Sequence, residues 1–150
     1  MFKYMAQNPK FQKLFALHAK EFITQLKNEG LHFSIACDTS LVCFDPPLID
    51  EIKEKIGKVA IFILSGYSFE SLEVFDDFFV FEAGLILKEG EDIGTILKIP
   101  YASVIQILAQ DEDSSYPIPI FVNPFETKED KKQEDSMHAI LSKNPNLLKG

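Results

Sequence analysis

The chain has no tryptophan and no arginine, and all fifteen of its basic residues are lysine. Arginine supplies the planar fork that grips phosphates and carboxylates bidentately. Its absence, with a formal net charge of −8 and no basic cluster, argues against a nucleic-acid surface, because such binding draws on phosphate neutralisation. Cysteine is nearly absent as well. Cys37 and Cys43 form no C-x-x-C pair and read as small apolar residues of a reducing compartment, with a disulfide between them as the lesser alternative. No apolar run approaches bilayer-spanning length, and Met1-Phe2-Lys3-Tyr4 leads into polar residues, not the apolar segment of a leader. The expected location is therefore the cytoplasm, with no membrane partner. Neither H-E-x-x-H, G-x-S-x-G, G-x-G-x-x-G nor a phosphate-binding loop is present.

What remains is a chain of 150 residues, enough for one domain with a substantial core. Apolar residues make up 46% and charged residues 25%, a globular balance. Fourteen phenylalanines carry most of the aromatic content.

Residues 10–29 have helical periodicity: Phe11, Leu14, Phe15, His18, Phe22 and Leu26 recur at spacings of three and four. Pro9 suits the first turn and Gly30 a left-handed stop. Short strands are expected at 33–37 and 41–44, ended by Asp45-Pro46-Pro47, then a short helix at 48–56. The continuous apolar stretch from Val59 to Leu64 reads as a strand buried on both faces. Asp76-Asp77 between 72–75 and 78–87 marks a tight hairpin. Lys88 to Gly94 reads as a polar loop, 95–99 as a returning strand, and Pro100 as the opening of a short helix with Val104, Ile105 and Leu108 on its apolar face. Pro117 and Pro119 restrict 118–122 to a sheet edge. Residues 126–135 are charged and free of apolar side chains, so a domain at 1–125 is expected to be followed by a flexible tail at 126–150.

This order of motifs resembles the SspB adaptors, bacterial proteins that deliver tagged substrates to the ClpXP protease. The similar stretches are Gly57-Lys58-Val59-Ala60-Ile61-Phe62-Ile63, then Leu72-Glu73-Val74 with Asp76-Asp77 and Phe79-Val80-Phe81-Glu82-Ala83. The run from Ile99-Pro100 through Tyr101-Ala102-Ser103-Val104-Ile105 to Ala109 is the nearest in pattern, and the likeness spans residues 11–125. It implies an α+β fold: an N-terminal amphipathic helix, a small antiparallel β-sandwich or partly open barrel of Sm-like topology, short helices and a flexible C-terminal tail. It further implies a non-enzymatic, peptide-binding homodimer in the cytoplasm. The chain departs from the family at Glu82-Ala83-Gly84-Leu85, where an acid replaces the family's Asn-Ala-Arg-Phe type of groove strand.

On that reading the peptide site comprises Phe79, Phe81, Glu82, Ala83, Gly84 and Leu85. Strand alternation sends Phe79 and Phe81 to one face, where they read first as core and under the resemblance as groove lining, and the small Ala83 and Gly84 let a partner backbone approach. Glu82 in an apolar strand either reaches solvent at the rim or receives a donor from a ligand. Phe11, Leu14, Phe15, His18 and Phe22 form the expected dimer interface, with His18 read as a packed histidine. Leu147, Leu148 and Lys149 resemble a docking segment for a ClpX-type unfoldase. Two other readings compete. One is an assembly partner that binds another protein's helix through the Phe-rich stripe. The other is a small enzyme that brings His32, Asp38 or Glu82 together. Asp76-Asp77, Glu89-Gly90-Glu91-Asp92 and Asp111-Glu112-Asp113 lack calcium-loop spacing, so neither metal nor cofactor is expected.

Overall fold

The computed structural model describes residues 1–88, 91–110, 113 and 115–124, without the side chains of 85–88 and 91–93. The expected tail at 126–150, with Leu147, Leu148 and Lys149, lies outside the described residues.

Two helices lead the chain, α1 (Phe2–Gln7) and α2 (Pro9–Glu29). The Asn8 side chain caps α2 by accepting from the Lys10 N–H at 2.9 Å, and Pro9 occupies its first position. Gly30, at φ 71°, ends it in the left-handed conformation, and the Leu31 N–H closes on the Leu26 carbonyl at 2.9 Å. The face buried by α2 is rotated from the expected stripe: Ala19 and Ile23 lie at its centre, flanked by Phe15, Ala16 and Leu26.

After α2 come β1 (Phe33–Asp38), β2 (Cys43–Asp45), α3 (Asp50–Ile56), β3 (Val59–Leu64), α4 (Tyr67–Glu70), β4 (Glu73–Val74), β5 (Phe78–Lys88), β6 (Glu91–Pro100), β7 (Val104–Ala109) and β8 (Ile118–Val122). The architecture is α+β. Among the described residues, four α-helices accompany two four-stranded antiparallel sheets, ordered β3-β1-β7-β8 and β2-β6-β5-β4, which do not close into a barrel.

One apolar cluster joins the two sheets and α2. Alternation in β1 sends Phe33, Ile35 and Cys37 into it; β5 contributes Phe79 and Phe81, and β6 contributes Leu97 and Ile99. The chain passes between sheets at two 3₁₀ turns. Thr39–Leu41 leads from β1 to β2, with the Asp38 carboxylate accepting from the Ser40 N–H at 3.0 Å and hydroxyl at 2.6 Å. Tyr101–Ser103 leads from β6 to β7, with the Ser103 hydroxyl donating to the Pro100 carbonyl at 2.7 Å and Tyr101 packing on Phe79 at 5.5 Å.

Three expectations are corrected here. Residues 104–109 form a strand, not a helix. Val104, Ile105 and Ile107 are β-branched, and β7 finds hydrogen-bonding partners on both sides in β1 and β8. The polar stretch at 88–94 is largely ladder: Gly84 faces Gly94, Leu85 faces Ile93 and Ile86 faces Asp92, so β5 and β6 form one long hairpin. Finally, β3 is not buried on both faces. Phe62 and Leu64 enter the core, but Val59, Ile61 and Ile63 are 56%, 62% and 67% exposed. It is an edge strand, paired only with β1 among the described residues.

Candidate functional site

The residues expected to form a peptide site do not share one surface. Phe79 and Phe81 are 0% and 1% exposed and face the opposite sheet, so they are core. Their rings stack on one another at 6.1 Å, and Phe81 meets Phe62 of β3 edge-on at 6.2 Å. Ala83 packs half-buried beside them. Glu82 and Gly84 point the other way, because alternation along β5 divides the set; the Leu85 side chain is outside the description.

Glu82 has a partner within the chain. The Tyr67 hydroxyl donates to Glu82 Oε2 at 2.9 Å, and this bond to the carboxylate raises the Tyr67 pKa above its ordinary value. The Glu82 backbone N–H donates to the Ser71 hydroxyl at 2.9 Å. A Cβ on Gly94 would lie 2.7 Å from Glu82 Oε1, so the glycine leaves room for the carboxylate across the sheet face.

The structure also separates the candidate catalytic groups. His32 packs its ring on Phe69 at 4.8 Å. Asp38 is buried at the other end of β1, about 17 Å along an extended strand. Glu82 is engaged with Tyr67 on the outer face of the second sheet. Both thiols are free: Cys43 is exposed and Cys37 is fully buried, so the disulfide alternative does not occur.

Burial pushes the Cys37 thiol up from 9.0 to about 12. The folded state keeps it neutral where the unfolded chain ionises. Its contribution to stability is therefore complete below pH 9 and is lost as pH rises from about 9 toward 12. A fall of about 1 kcal/mol is expected between pH 9 and pH 10 from this group, measured by urea unfolding. Cys37→Ala should flatten that slope. Tyr101, whose hydroxyl donates to the Phe75 carbonyl at 2.8 Å and which burial also raises to about 12, adds its own loss above pH 10 in both proteins.

The expected dimer residues lie on one flank of α2 beside β8. Phe15 and Phe22 contact Phe121 at 6.2 and 6.1 Å, so part of the stripe packs within the chain. Leu14 is 42% exposed and Phe22 40%, and Phe11 is half-buried. His18 is exposed, not the packed histidine expected.

Two features emerged that sequence reading did not nominate. The first is the free edge of β3. Among the described residues the other outermost strands are short or interrupted: β2 is three residues ending at Asp45-Pro46-Pro47, β4 is two residues, and β8 carries Pro119. β3 spans six residues with no charge and no proline, and its outer face is Val59, Ile61 and Ile63. The Phe62–Phe81 contact places β3 over β5, and β4 pairs with β5 only at Phe79 and Val80. β5 beyond Glu82 thus also lacks a strand on that side among the described residues. The only signal in the sequence was the uncharged run itself, which fits a buried strand equally well.

The second is a cleft of about 420 Å³ between α3 and the segment 39–48. Thr39 ties its two walls together: its hydroxyl donates to the carbonyls of Gly57 and Lys58 at 2.6 and 2.9 Å, and its N–H to Lys58 at 2.8 Å. Among the described residues, no three His, Cys, Asp or Glu side chains converge as metal ligands, and no helix is long and apolar enough to cross a membrane. No protein-family model and no curated protein matches the chain.

Proposed function

We propose that the chain is a non-enzymatic binding protein that captures an extended protein segment along the free edge of β3. The observation that carries this reading is that edge: six residues, uncharged, unpaired on one side among the described residues, with three β-branched side chains facing outward. Such an edge offers main-chain donors and acceptors to an added strand, and alternate side chains supply selectivity. A neighbouring open stretch at Ala83-Gly84 gives the partner backbone room to approach. Two sheets sharing one core, behind an amphipathic helix, support the Sm-like sandwich of the SspB resemblance. With that resemblance, the reading extends to a cytoplasmic adaptor that hands captured segments to a ClpXP-type protease.

A fluorescent reporter bearing a degradation tag, incubated with ClpXP and increasing full-length chain, tests the delivery step. The adaptor reading expects faster loss of fluorescence at sub-saturating reporter; an unchanged rate at every concentration contradicts delivery. A second reading rests on the exposed Leu14 and Phe22 of α2, which would take another protein's helix or a second copy of α2. Sedimentation separates these: a dimer that Leu14→Glu with Phe22→Glu dissociates assigns the flank to self-association, and a wild-type monomer leaves it to a different protein.

A further inference from the structure

We propose that the cleft between α3 and β2 binds a monocarboxylate with an apolar body, independently of the β3 edge. The size is right for a small ligand: about 420 Å³ lies within the range of sites that enclose organic molecules. The lining is mixed: Val42, Phe44, Pro47, Leu48 and Ile56 supply its apolar part, beside Thr39, Ser40 and Cys43. Among the described residues, Lys53 is the one charged residue in the lining. That is distinctive in a chain with 23 acidic residues against fifteen lysines, because among the described residues no carboxylate lines the cleft to oppose an anion.

Lys53 forms no ion pair among the described residues, while the hydroxyls of Thr39 and Ser40 are already donating within the chain. The open polar group at the cleft is therefore a cation, which selects a negative charge over a neutral or positive one. A single exposed ammonium matches one carboxylate and is too little for a multiply charged phosphate ester. The apolar part of the lining takes an aliphatic or aromatic body by removing its surface from water. The walls are also preformed, since the Thr39 bonds hold the end of α3 against the β1–β2 turn. Two sources share this chemistry: a free organic acid, and the C-terminal residue of a peptide lying beside β2, itself a sheet edge.

The test is nitrogen–proton NMR titration of the full-length chain with four probes: octanoate, octylamine, acetyl-Leu-Leu as the free acid, and acetyl-Leu-Leu amide. Saturable shifts at the amides of 42–44, 48 and 53–57 are expected with at least one acid, which should bind roughly two- to five-fold tighter than its neutral amide and tighter still than the cationic control. Tighter binding of octanoate assigns the cleft to free acids; tighter binding of the peptide acid assigns it to chain termini. Lys53→Met should weaken the acid by roughly two- to five-fold, the scale of a solvent-exposed ion pair. Lys53→Glu should weaken it by more, with the spectrum of the free protein otherwise retained. Equal affinity for acid and amide, shifts confined to other regions, or no saturation with either acid would overturn the proposal.

Discussion

Phe81→Ala is expected to cost about 3–5 kcal/mol of folding stability, read as the drop in unfolding free energy from urea titration. Phe81 is 1% exposed and sits where the sheets meet, edge-on to Phe62 and stacked on Phe79. Removing its ring leaves a cavity walled by both sheets, neither of which can close it alone, since each is fixed by its own ladder. Phe79→Ala, which also removes the contact to Tyr101, belongs in the same range. An exposed counterpart sets the scale: Ile61→Ala, at 62% exposure, should change stability by less than about 0.5 kcal/mol. A small loss at Phe81 would mean that the ring is free to line a groove, and that the division of β5 into a core face and an outer face is mistaken.

The second large effect is on binding. Ile61→Lys with Ile63→Lys is expected to lower affinity for a captured segment by at least about tenfold, measured by fluorescence anisotropy with a selected peptide. Lysine on an edge strand is a common natural device against strand addition, because its charge must be desolvated beneath an incoming apolar chain. Both positions face outward, opposite Phe62 and Leu64, so the core is untouched and circular dichroism should be unchanged. Undiminished affinity in a folded double variant would place the segment elsewhere, with the α2 flank the next candidate.

The parts of this architecture written in local chemistry were legible from the residues. Pro9 and Gly30 bound α2 because a first-turn proline and left-handed closure are local events, whereas the Asn8 cap was not read. Pro119 confined β8 to an edge because proline cannot serve a central ladder. Asp76-Asp77 separated β4 from β5 because two short polar residues suit a tight hairpin turn. What was not legible depended on partners distant in sequence. The six apolar residues of β3 read alike as a buried strand and as an edge strand, and only the absence of a second neighbour among the described residues distinguishes them. In 101–109 the helical and extended periods coincide over a short run, and pairing with β1 and β8 decides for the strand. The buried face of α2 centres on Ala19, whose small side chain carries little apolar signal, so the bulkier phenylalanines drew the expected stripe aside.

The candidate site divides in the same way. Alternation alone assigned Phe79 and Phe81 to a common face, yet it could not say which face met the other sheet. Tyr67 as the partner of Glu82 lies fifteen positions away, across the turn of α4. The cleft depends on Thr39 reaching Gly57, a contact eighteen residues apart that no local pattern announces.

The most direct test of the central claim is amide hydrogen exchange in the full-length chain, with and without a peptide selected against it from a random library. Addition of a strand to β3 predicts that alternate amides in 59–64 exchange at least about tenfold more slowly when the peptide is bound, while those of α2 change little. Protection confined to α2 or to the α3–β2 cleft, with β3 exchanging at its free rate, would contradict the account.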